Sequence, residues 1–187
     1  RWKVIELCRG DNEASQMILK LSELLRISLD DADQIISIEQ EVRNTRLYVD
    51  ILQLRYESKL EVQWNIPEEV QKCAIVKVSL QPLIENAVYH GIKPKREKGI
   101  IQVYAEKDSE KLKVTIQDDG IGMDPEECRI LNEDLRNNFQ FKKGHIGVRN
   151  VNQRLKLLLG DQAQMKVTSE KGKGTCVQMA LPYREVE

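Results

Sequence analysis

Residues 118–123, with the sequence Asp-Asp-Gly-Ile-Gly-Met, constrain the fold of this 187-residue chain more than any other segment. They follow an apolar alternation at Leu112, Val114 and Ile116, which predicts a buried strand that ends in a loop. A carboxylate at such a strand end can accept a hydrogen bond from the exocyclic amine of a purine, and glycines let the backbone approach a ring closely. Asp-Gly pairs also form ordinary turns, so the segment alone leaves a purine pocket and a simple turn both open.

A second segment, residues 79–91, predicts a helix with two distinct faces. Pro82 lacks an N–H group, so the helix is expected to begin close to it or to bend there. Apolar residues that are expected to face a core recur at helical spacing: Val76, Leu80, Leu83 and Ala87. Polar residues gather on another face: Glu85, Asn86, Tyr89 and His90. The amide oxygen of Asn86 is a suitable ligand for Mg²⁺, while a polar face turned to solvent is the alternative.

A third segment, residues 142–151, predicts a glycine-containing loop that opens another helix. Gly144 and Gly147 precede an apolar helical pattern at Val148, Val151, Leu155 and Leu158. A turn of this kind presents free backbone N–H groups to an anion. Three cationic side chains add positive charge there: Lys142, Lys143 and Arg149. A flexible loop before an ordinary helix start is the alternative.

Taken in order, four segments resemble the ATP-binding domain that histidine kinases share with heat-shock chaperones, gyrase-type topoisomerases and mismatch-repair ATPases. They are the helix with Asn86, the Asp-x-Gly-x-Gly segment at 118–122, the Gly-x-x-Gly loop at 144–147 and Gly-Lys-Gly-Thr at 172–175. Each piece is a weak signal alone, but the four in this order are a strong one.

The amino-acid sequences of these segments are similar to those of bacterial sensor histidine kinases of the LytS class. Residues 80–87 read Leu-Gln-Pro-Leu-Ile-Glu-Asn-Ala, and residues 147–151 read Gly-Val-Arg-Asn-Val. Residues 24–26 and 48–56 fit the same class, so the resemblance covers nearly the whole chain. It implies a Bergerat-type α+β fold, in which a mixed β-sheet is covered by helices on one face and preceded by a helical hairpin.

Residues 1–58 are expected to form a partial dimerisation and phosphotransfer hairpin of two helices, cut short at its start. Residues 37–40 have the form of a capping box, so the second helix is expected to begin there. Along that helix runs a heptad seam: Ile38, Val42, Thr45, Val49, Leu52 and Tyr56. Such a seam forms an intrachain core more often than a partner surface, but the resemblance implies a hairpin that joins two copies of the chain.

Residues 59–187 are expected to form the ATP-binding catalytic domain. Apolar alternation predicts strands at about 60–66, 99–105, 112–117, 165–168 and 175–181. Helices are expected at about 125–136 and 148–159. The mostly polar stretch 137–147 suits a mobile lid. Hairpins mixed with helices indicate a mixed sheet that is covered by helices on one face.

The resemblance assigns roles to residues at the adenine end of the site. Asp118 would accept a hydrogen bond from the adenine amine. Gly120 and Gly122 would shape the pocket around the ring. Thr175 would lie near the adenine, beside Asp118.

At the phosphate end, Asn86 would bind the Mg²⁺ that bridges the phosphates, and His90 falls at a position that contacts phosphate in related domains. Gly144 and Gly147 would form part of a lid over the triphosphate. The helix start at Val148 would face that triphosphate.

Glu85 is the candidate catalytic residue, because a carboxylate near the metal could orient or deprotonate a nucleophile. A nucleophilic histidine needs less help than a serine, since neutral imidazole already offers a lone pair near pH ~7. We therefore expect Glu85 to support the transfer, and its action as a base stays open.

Together these features predict the catalytic region of a two-component sensor histidine kinase, which uses MgATP to phosphorylate a histidine and passes the phosphoryl group to a response regulator. The acceptor histidine of this class lies in an Asn-Pro-His-Phe segment that the sequence lacks, and its two histidines are His90 and His145. We therefore expect this chain to bind ATP without autophosphorylating in the normal way. Two other functions stay open, namely a regulatory module with a degenerate nucleotide site and an ATPase of the chaperone or topoisomerase type.

Composition and charge limit the partners and the cell compartment that we expect for this chain. A net charge of −1 gives no reason to expect a nucleic-acid partner. No apolar run approaches the ~18 residues that span a bilayer, and there is no signal peptide, so we expect this piece in the cytoplasm. The four scattered cysteines fit reduced thiols in that compartment. The first residue is Arg1, which suggests a piece of a longer protein, and the resemblance implies a homodimeric parent in the bacterial cell membrane.

Overall fold

The computed structural model describes residues 13–29, 34–56, 59–95, 97–137 and 144–186. These residues form the predicted α+β fold, in which a helical hairpin precedes a mixed β-sheet with helices against one face. In chain order the elements are α1 (Glu13–Leu29), β1 (Ile35–Ser37), α2 (Ile38–Tyr56), β2 (Leu60–Asn65), α3 (Glu68–Gln71), β3 (Ala74–Val76), α4 (Leu80–Asn86), a π-helical turn (Ala87–Ile92), β4 (Gly99–Asp108), β5 (Lys111–Asp118), α5 (Pro125–Asn137), α6 (Ile146–Leu159), a 3₁₀ turn (Gly160–Gln162), β6 (Gln164–Glu170) and β7 (Gly174–Pro182).

Helices α1 and α2 form the hairpin, and the Lys20 ammonium lies 2.6 Å from the Asp50 carboxylate across it. The predicted capping box is confirmed at the start of α2. The Ser37 hydroxyl accepts a hydrogen bond from the Gln40 N–H at 3.2 Å, and the Gln40 side-chain oxygen accepts one from the Ser37 N–H at 3.1 Å. These reciprocal bonds satisfy two of the backbone donors that the beginning of a helix leaves unpaired.

The heptad seam of α2 is packed inside the chain. Tyr56 is half-buried. The other five residues of the seam are buried: Ile38, Val42, Thr45, Val49 and Leu52. The apolar members belong to the same core cluster as the inner face of the sheet. The seam is therefore an intrachain core, which is the alternative that the sequence left open, and dimerisation of the hairpin stays a prediction.

The main sheet has five strands in the order β2-β4-β5-β7-β6. Only the β2–β4 pair is parallel, and the other three pairs are antiparallel. Ile116 of β5 lies opposite Val103 of β4 and Val177 of β7, and all three side chains are buried on the inner face. Alternate residues point to opposite faces of a strand, so the apolar alternation places one side of the sheet under the helices.

A second, two-stranded sheet was not predicted. Strands β1 and β3 pair antiparallel, with Ile36 opposite Ile75. Val76 lies in β3, so the prediction that it begins the helical stripe is wrong, although its side chain is buried as expected. Arg184 near the C-terminus accepts a hydrogen bond from the Ala74 N–H at 2.7 Å, which ties the end of the chain to β3.

The helix with the polar face begins at Leu80, close to Pro82 as predicted, but it does not run unbroken to Gly91. Its α-helical part ends at Asn86 and continues as the π-helical turn to Ile92. A π-turn has wider hydrogen-bond rings than an α-helix and is frequent at functional sites.

The two later helices agree with the sequence. Helix α5 starts at Pro125, and α6 ends at Leu159, directly before Gly160, where φ is +69°. Of the predicted lid 137–147, residues 138–143 lie outside the described residues. No helix within the described ranges combines the length and the apolar character that a membrane span requires.

Candidate functional site

A cleft lies between the inner face of the sheet and the helical elements α4, α6 and the π-turn. The empty space in and around the cleft, including the open solvent at its mouth, is about 470 Å³. Its walls are mostly apolar and include Leu83, Ile116, Met123, Val148 and Val167. Its polar residues are Asn86, His90, Asp118, His145 and Thr175. A mostly apolar cleft with a few convergent polar groups is the usual form of a small-molecule site.

Asp118 is the buried carboxylate of this cleft. It is the last residue of β5, only 5% exposed, and it accepts a hydrogen bond from the Gly120 N–H at 2.8 Å. Burial raises the pKa of Asp118 to about 6, although the backbone N–H groups of Gly120 and Thr175 oppose this shift. Burial dominates because it removes water from the ionised form.

Gly91 places bare backbone against Asp118. A Cβ atom at Gly91 would lie 2.6 Å from Asp118 Oδ1, and a Cβ atom at Gly120 would lie 2.4 Å from the Gly91 backbone. The Gly91 carbonyl also accepts a hydrogen bond from the Ile121 N–H at 3.0 Å. Any side chain at Gly91 would therefore displace the carboxylate, so the carboxylate position depends on the absence of a side chain here.

The loop after Asp118 is held at both of its ends. The Lys95 ammonium donates to the Asp119 carboxylate at 3.0 Å and to the Asp119 carbonyl at 3.1 Å. Gly122 has φ +65°, and a Cβ atom there would lie 2.1 Å from the carbonyl oxygen of Glu170. Only glycine suits both this conformation and this close approach.

Thr175 lies directly opposite Asp118 in the β5–β7 register. The Ser169 hydroxyl donates to the Gly174 carbonyl at 2.9 Å and accepts from the Met123 N–H at 2.8 Å. The Thr175 hydroxyl, 2.9 Å away, is then left as the donor to Ser169. Ser169, which the sequence did not single out, thus joins the glycine loop to the strand that carries Thr175.

Asn86 and His90 lie at the mouth of the cleft. Asn86 is half-buried, and the exposed His90 ring has its centroid 5.7 Å from that of His145. His145 Nε2 lies 3.0 Å from a Glu127 carboxylate oxygen. Within the described ranges no cluster of three or more His, Cys, Asp or Glu side chains is placed to hold a metal ion. A magnesium ion at Asn86 would take its remaining ligands from phosphate oxygens and water, as Mg²⁺ does in nucleotide sites.

Glu85 does not line the cleft. Its carboxylate accepts a hydrogen bond from the Gln81 side chain at 3.0 Å and forms a second one with the Tyr48 hydroxyl of α2. Burial first, and the neighbouring Glu85 next, raise the pKa of Tyr48 well above its usual range. Tyr48 therefore stays protonated, and its hydrogen-bond partners are the Glu85 carboxylate and Tyr89.

The start of α6 faces the cleft through Val148, while its two glycines have other positions. Gly147 packs on α4, where an added Cβ atom would lie 3.3 Å from the Pro82 carbonyl oxygen, and Gly144 has φ +99° with open space beside it. Arg149, which was expected to add positive charge for an anion, instead pairs with the buried Asp134 at 2.8 Å and donates to the Gly144 carbonyl. Lys142 and Lys143 lie outside the described residues.

The structure brings most of the predicted site residues to one cleft. Six of them line it: Asn86, His90, Asp118, Gly122, Val148 and Thr175. Gly120 is not part of the lining but donates a backbone hydrogen bond to Asp118. Glu85, Gly144 and Gly147 do not line the cleft. Gly91, Ser169 and the contact between Tyr48 and Glu85 were not predicted as parts of the site. Only Gly91 lies in a segment that the sequence had singled out, residues 79–91, because the other two depend on tertiary contacts.

Comparison with known proteins gives matches to two family models. Residues 75–185 match the histidine kinase-, DNA gyrase B-, and HSP90-like ATPases, and residues 3–60 match the histidine kinase family. The sensor histidine kinase YesM of Bacillus subtilis (strain 168) is 33% identical over 172 residues, which cover 92% of this chain and 28% of that protein. The sensor protein LytS of Oceanobacillus iheyensis is 29% identical over 180 residues, which cover 95% of this chain and 31% of that protein. The chain therefore spans less than a third of the length of these relatives.

Among solved structures, the histidine kinase domain of the blue-light activated histidine kinase from Erythrobacter litoralis EL346 has a similar fold. The TM-score is 0.56 at 24% sequence identity, and the match covers 90% of this chain and 72% of that chain. At this identity the likeness concerns the fold alone.

Proposed function

We propose that the cleft binds MgATP for phosphoryl transfer to a histidine, because the chain belongs to the family of histidine kinase-, DNA gyrase B- and HSP90-like ATPases. Within that family it is similar to sensor histidine kinases of the LytS class. From the acceptor histidine the phosphoryl group passes to a response regulator. The relatives are more than three times as long as the matched region, with 28% and 31% covered, so the transfer and relay are proposed for a longer protein that contains this region.

The buried Asp118 carboxylate in an apolar cleft is the observation that carries the proposal. An acceptor-only group in this position selects a ligand that brings an N–H donor into an otherwise apolar pocket. The adenine ring has this combination, because it is flat, largely apolar on its faces and carries an exocyclic amine. The apolar walls of Leu83, Met123 and Val167 offer surfaces on which such a ring can pack.

The phosphates would extend from this pocket towards the mouth of the cleft. Asn86 offers an amide oxygen to Mg²⁺, and His90 is exposed at the same mouth. The first backbone N–H groups of α6, around Val148, have no partner within the helix and suit an anion. The residues present therefore fit a nucleotide with a bound divalent cation.

Bound MgATP would supply the phosphoryl group and the metal that neutralises its charge. The contribution of this chain is to bind the adenine at Asp118, to orient the phosphates at Asn86 and α6, and to exclude water from the pocket. Glu85 lies one residue before Asn86 and is bonded to Gln81 and Tyr48, and we expect it to support the acceptor.

We predict that Glu85→Gln in the intact kinase leaves MgATP affinity within about twofold of the wild type and slows transfer by roughly 10–100-fold, at the low end of general-base contributions. The exposed Glu39→Gln variant is the matched control and should change neither quantity. Rapid-quench measurement of phosphohistidine formation separates the two steps. An unchanged transfer rate in Glu85→Gln would rule out the role.

The proposed transfer is tested by incubating γ-labelled ATP with this chain and with a longer version that adds the parent's acceptor-histidine segment. Acid-labile label should appear on the longer protein, should be absent from this chain, and should be lost from the longer protein carrying Asp118→Asn. Acid-labile label on this chain alone, or none on a folded longer protein that binds ATP, would contradict the proposal.

A further inference from the structure

A buried carboxylate of the hairpin holds the start of the helix that leads to Asn86. Glu41 of α2 is 1% exposed, and its carboxylate accepts three backbone hydrogen bonds. The donors are the N–H groups of Val78 at 2.9 Å, Ser79 at 2.8 Å and Leu80 at 2.9 Å. These groups belong to the entrance of α4, where a helix leaves its first N–H groups unpaired. The hairpin thus supplies the cap that α4 lacks in its own sequence.

Arg154 of α6 completes this junction from the other side. Its guanidinium donates to the carbonyl oxygens of Lys77 at 2.8 Å and Val78 at 3.2 Å. Burial raises the pKa of Glu41, while the three backbone donors and the charge of Arg154 oppose the shift. The junction therefore joins α2, α4 and α6 through one carboxylate and one guanidinium.

The backbone inside the junction is strained. Val78 has φ +57°, a conformation that is a genuine outlier for a β-branched residue. Strain of this kind persists only where surrounding contacts over-determine it. The hydrogen bonds from Val78 to Glu41 and from Arg154 to Val78 are those contacts, so loss of either lets the entrance of α4 relax.

From this geometry we infer that Glu41 is a positioning residue for the nucleotide site, which acts by fixing the entrance of α4 and through it the place of Asn86. Helix α4 is a seven-residue segment, so only about 9 Å of rise separates its first residue from Asn86. A shift at the entrance is carried along this short rigid element to the mouth of the cleft. Tyr48 lies on the same helix as Glu41 and contacts Glu85, which gives α2 a second contact with α4.

This inference rests on the proposed function where it concerns Mg²⁺, but the coupling itself can be measured without nucleotide. Hydrogen exchange of the free chain is compared for wild type, Glu41→Gln and the exposed control Glu39→Gln. Glu41→Gln should speed exchange at residues 86–92 as well as at 78–84, and leave the edge strand β6 at 164–170 unchanged. Glu39→Gln should match the wild type. Faster exchange confined to 78–84 would overturn the inference, since Glu41 would then act only as a local cap.

A calorimetric titration adds the functional readout. ADP in EDTA reports on the Asp118 end of the cleft, and the gain in affinity on adding Mg²⁺ reports on Asn86. Glu41→Gln should reduce that gain by roughly tenfold and change ADP affinity in EDTA by less than about twofold. An unchanged gain, or an equal loss in both titrations, would overturn the inference.

The two proposals fail in different ways. A wild-type chain that binds no nucleotide removes the proposed function, and the exchange pattern then decides the role of Glu41 alone. If Glu41→Gln does not fold, Arg154→Lys takes its place, because it keeps the positive charge and loses the paired donors to Lys77 and Val78. A folded Arg154→Lys variant with wild-type exchange at 86–92 would equally contradict the inference.

Discussion

At the scale of single residues, Asp118 meets opposing demands from folding and from binding. Its pKa in the folded chain, about 6, lies above the ordinary aspartate value of 3.8, so the folded state holds the proton more tightly than the unfolded state. The stability that the protonated form contributes is therefore present below pH ~4 and is lost as the pH rises through about 6. At neutral pH the ionised Asp118 carboxylate therefore lowers the stability of the chain without nucleotide.

Asp118→Asn is expected to stabilise the chain without nucleotide at pH ~7 by up to roughly 2–3 kcal/mol, because an amide of the same shape carries no charge to desolvate. The gain should shrink towards zero as the pH falls below ~4. Thermal unfolding across this pH range measures it, with Asp161→Asn at an exposed position as the matched control. A variant that is less stable than the wild type at every pH would contradict this account of Asp118.

Gly91→Ala should disturb the same carboxylate from its other side. The new Cβ atom would lie 2.6 Å from Asp118 Oδ1, so either the carboxylate or the π-turn has to move. We expect a loss of at least about tenfold in nucleotide affinity and of roughly 1–3 kcal/mol in the free energy of unfolding. Calorimetric titration and chemical denaturation measure the two quantities.

The control is Gly160→Ala, at the far end of α6, where φ is +69° and no atom lies within 4 Å of the added Cβ. It should cost roughly 1 kcal/mol of stability through backbone strain and leave affinity unchanged. Equal affinities for the two variants would show that Gly91 does not shape the pocket.

The sequence predicted much of the site at this scale because Asp118, Asn86 and Gly122 stand at spacings that depend on local structure. A strand end, a helix face and a tight turn can all be read along the chain. The Tyr48–Glu85 contact could not be predicted, since it joins residues from two separate helices. For the same reason the pairing of Arg149 with Asp134 could not be predicted, because Asp134 lies on another helix.

At the scale of elements, long periodic segments were predictable and short ones were not. The strands β4 and β5 alternate over ten and eight residues, so their period was clear. The strands β1 and β3 have three residues each, too few for a period to appear. The π-turn after Asn86 was missed because its buried residues Ala87, Val88, Gly91 and Ile92 are spaced by four, which also fits an α-helix.

The pairing of Arg149 with Asp134 predicts what fixes the beginning of α6. The Arg149 and Asp134 side chains are 15% and 4% exposed, so Arg149→Met would leave a buried carboxylate without its partner. Loss of a buried partner of this kind is expected to cost roughly 3–5 kcal/mol. The matched control is Arg129→Met, whose partners are exposed and whose loss should cost far less. Urea denaturation compares them, and equal costs would contradict a structural role for Arg149.

At the scale of the whole molecule, the hairpin packs its seam inward and leaves another apolar surface open. Four residues of α1 are exposed by between 44% and 61%: Ile18, Leu19, Leu21 and Leu25. If the proposed homodimer forms through this helix, Leu21→Glu should weaken self-association by at least about tenfold, because a charge would be buried in an apolar contact. Sedimentation velocity over a range of concentrations measures it.

The control for this prediction is Leu157→Glu on α6, whose side chain is 81% exposed and lies outside the hairpin. It should leave self-association unchanged. If the wild type and Leu21→Glu self-associate equally strongly, α1 does not form the predicted dimer contact.

The most direct test of the central claim, that this cleft binds MgATP through Asp118 and Asn86, is calorimetric titration of MgATP into three folded chains. The wild type should bind, Asp118→Asn should lose binding, and Asn86→Ala should chiefly lose the dependence on Mg²⁺. The opposite result, a folded wild-type chain that binds no nucleotide, or an Asp118→Asn variant that binds as well as the wild type, would contradict the claim.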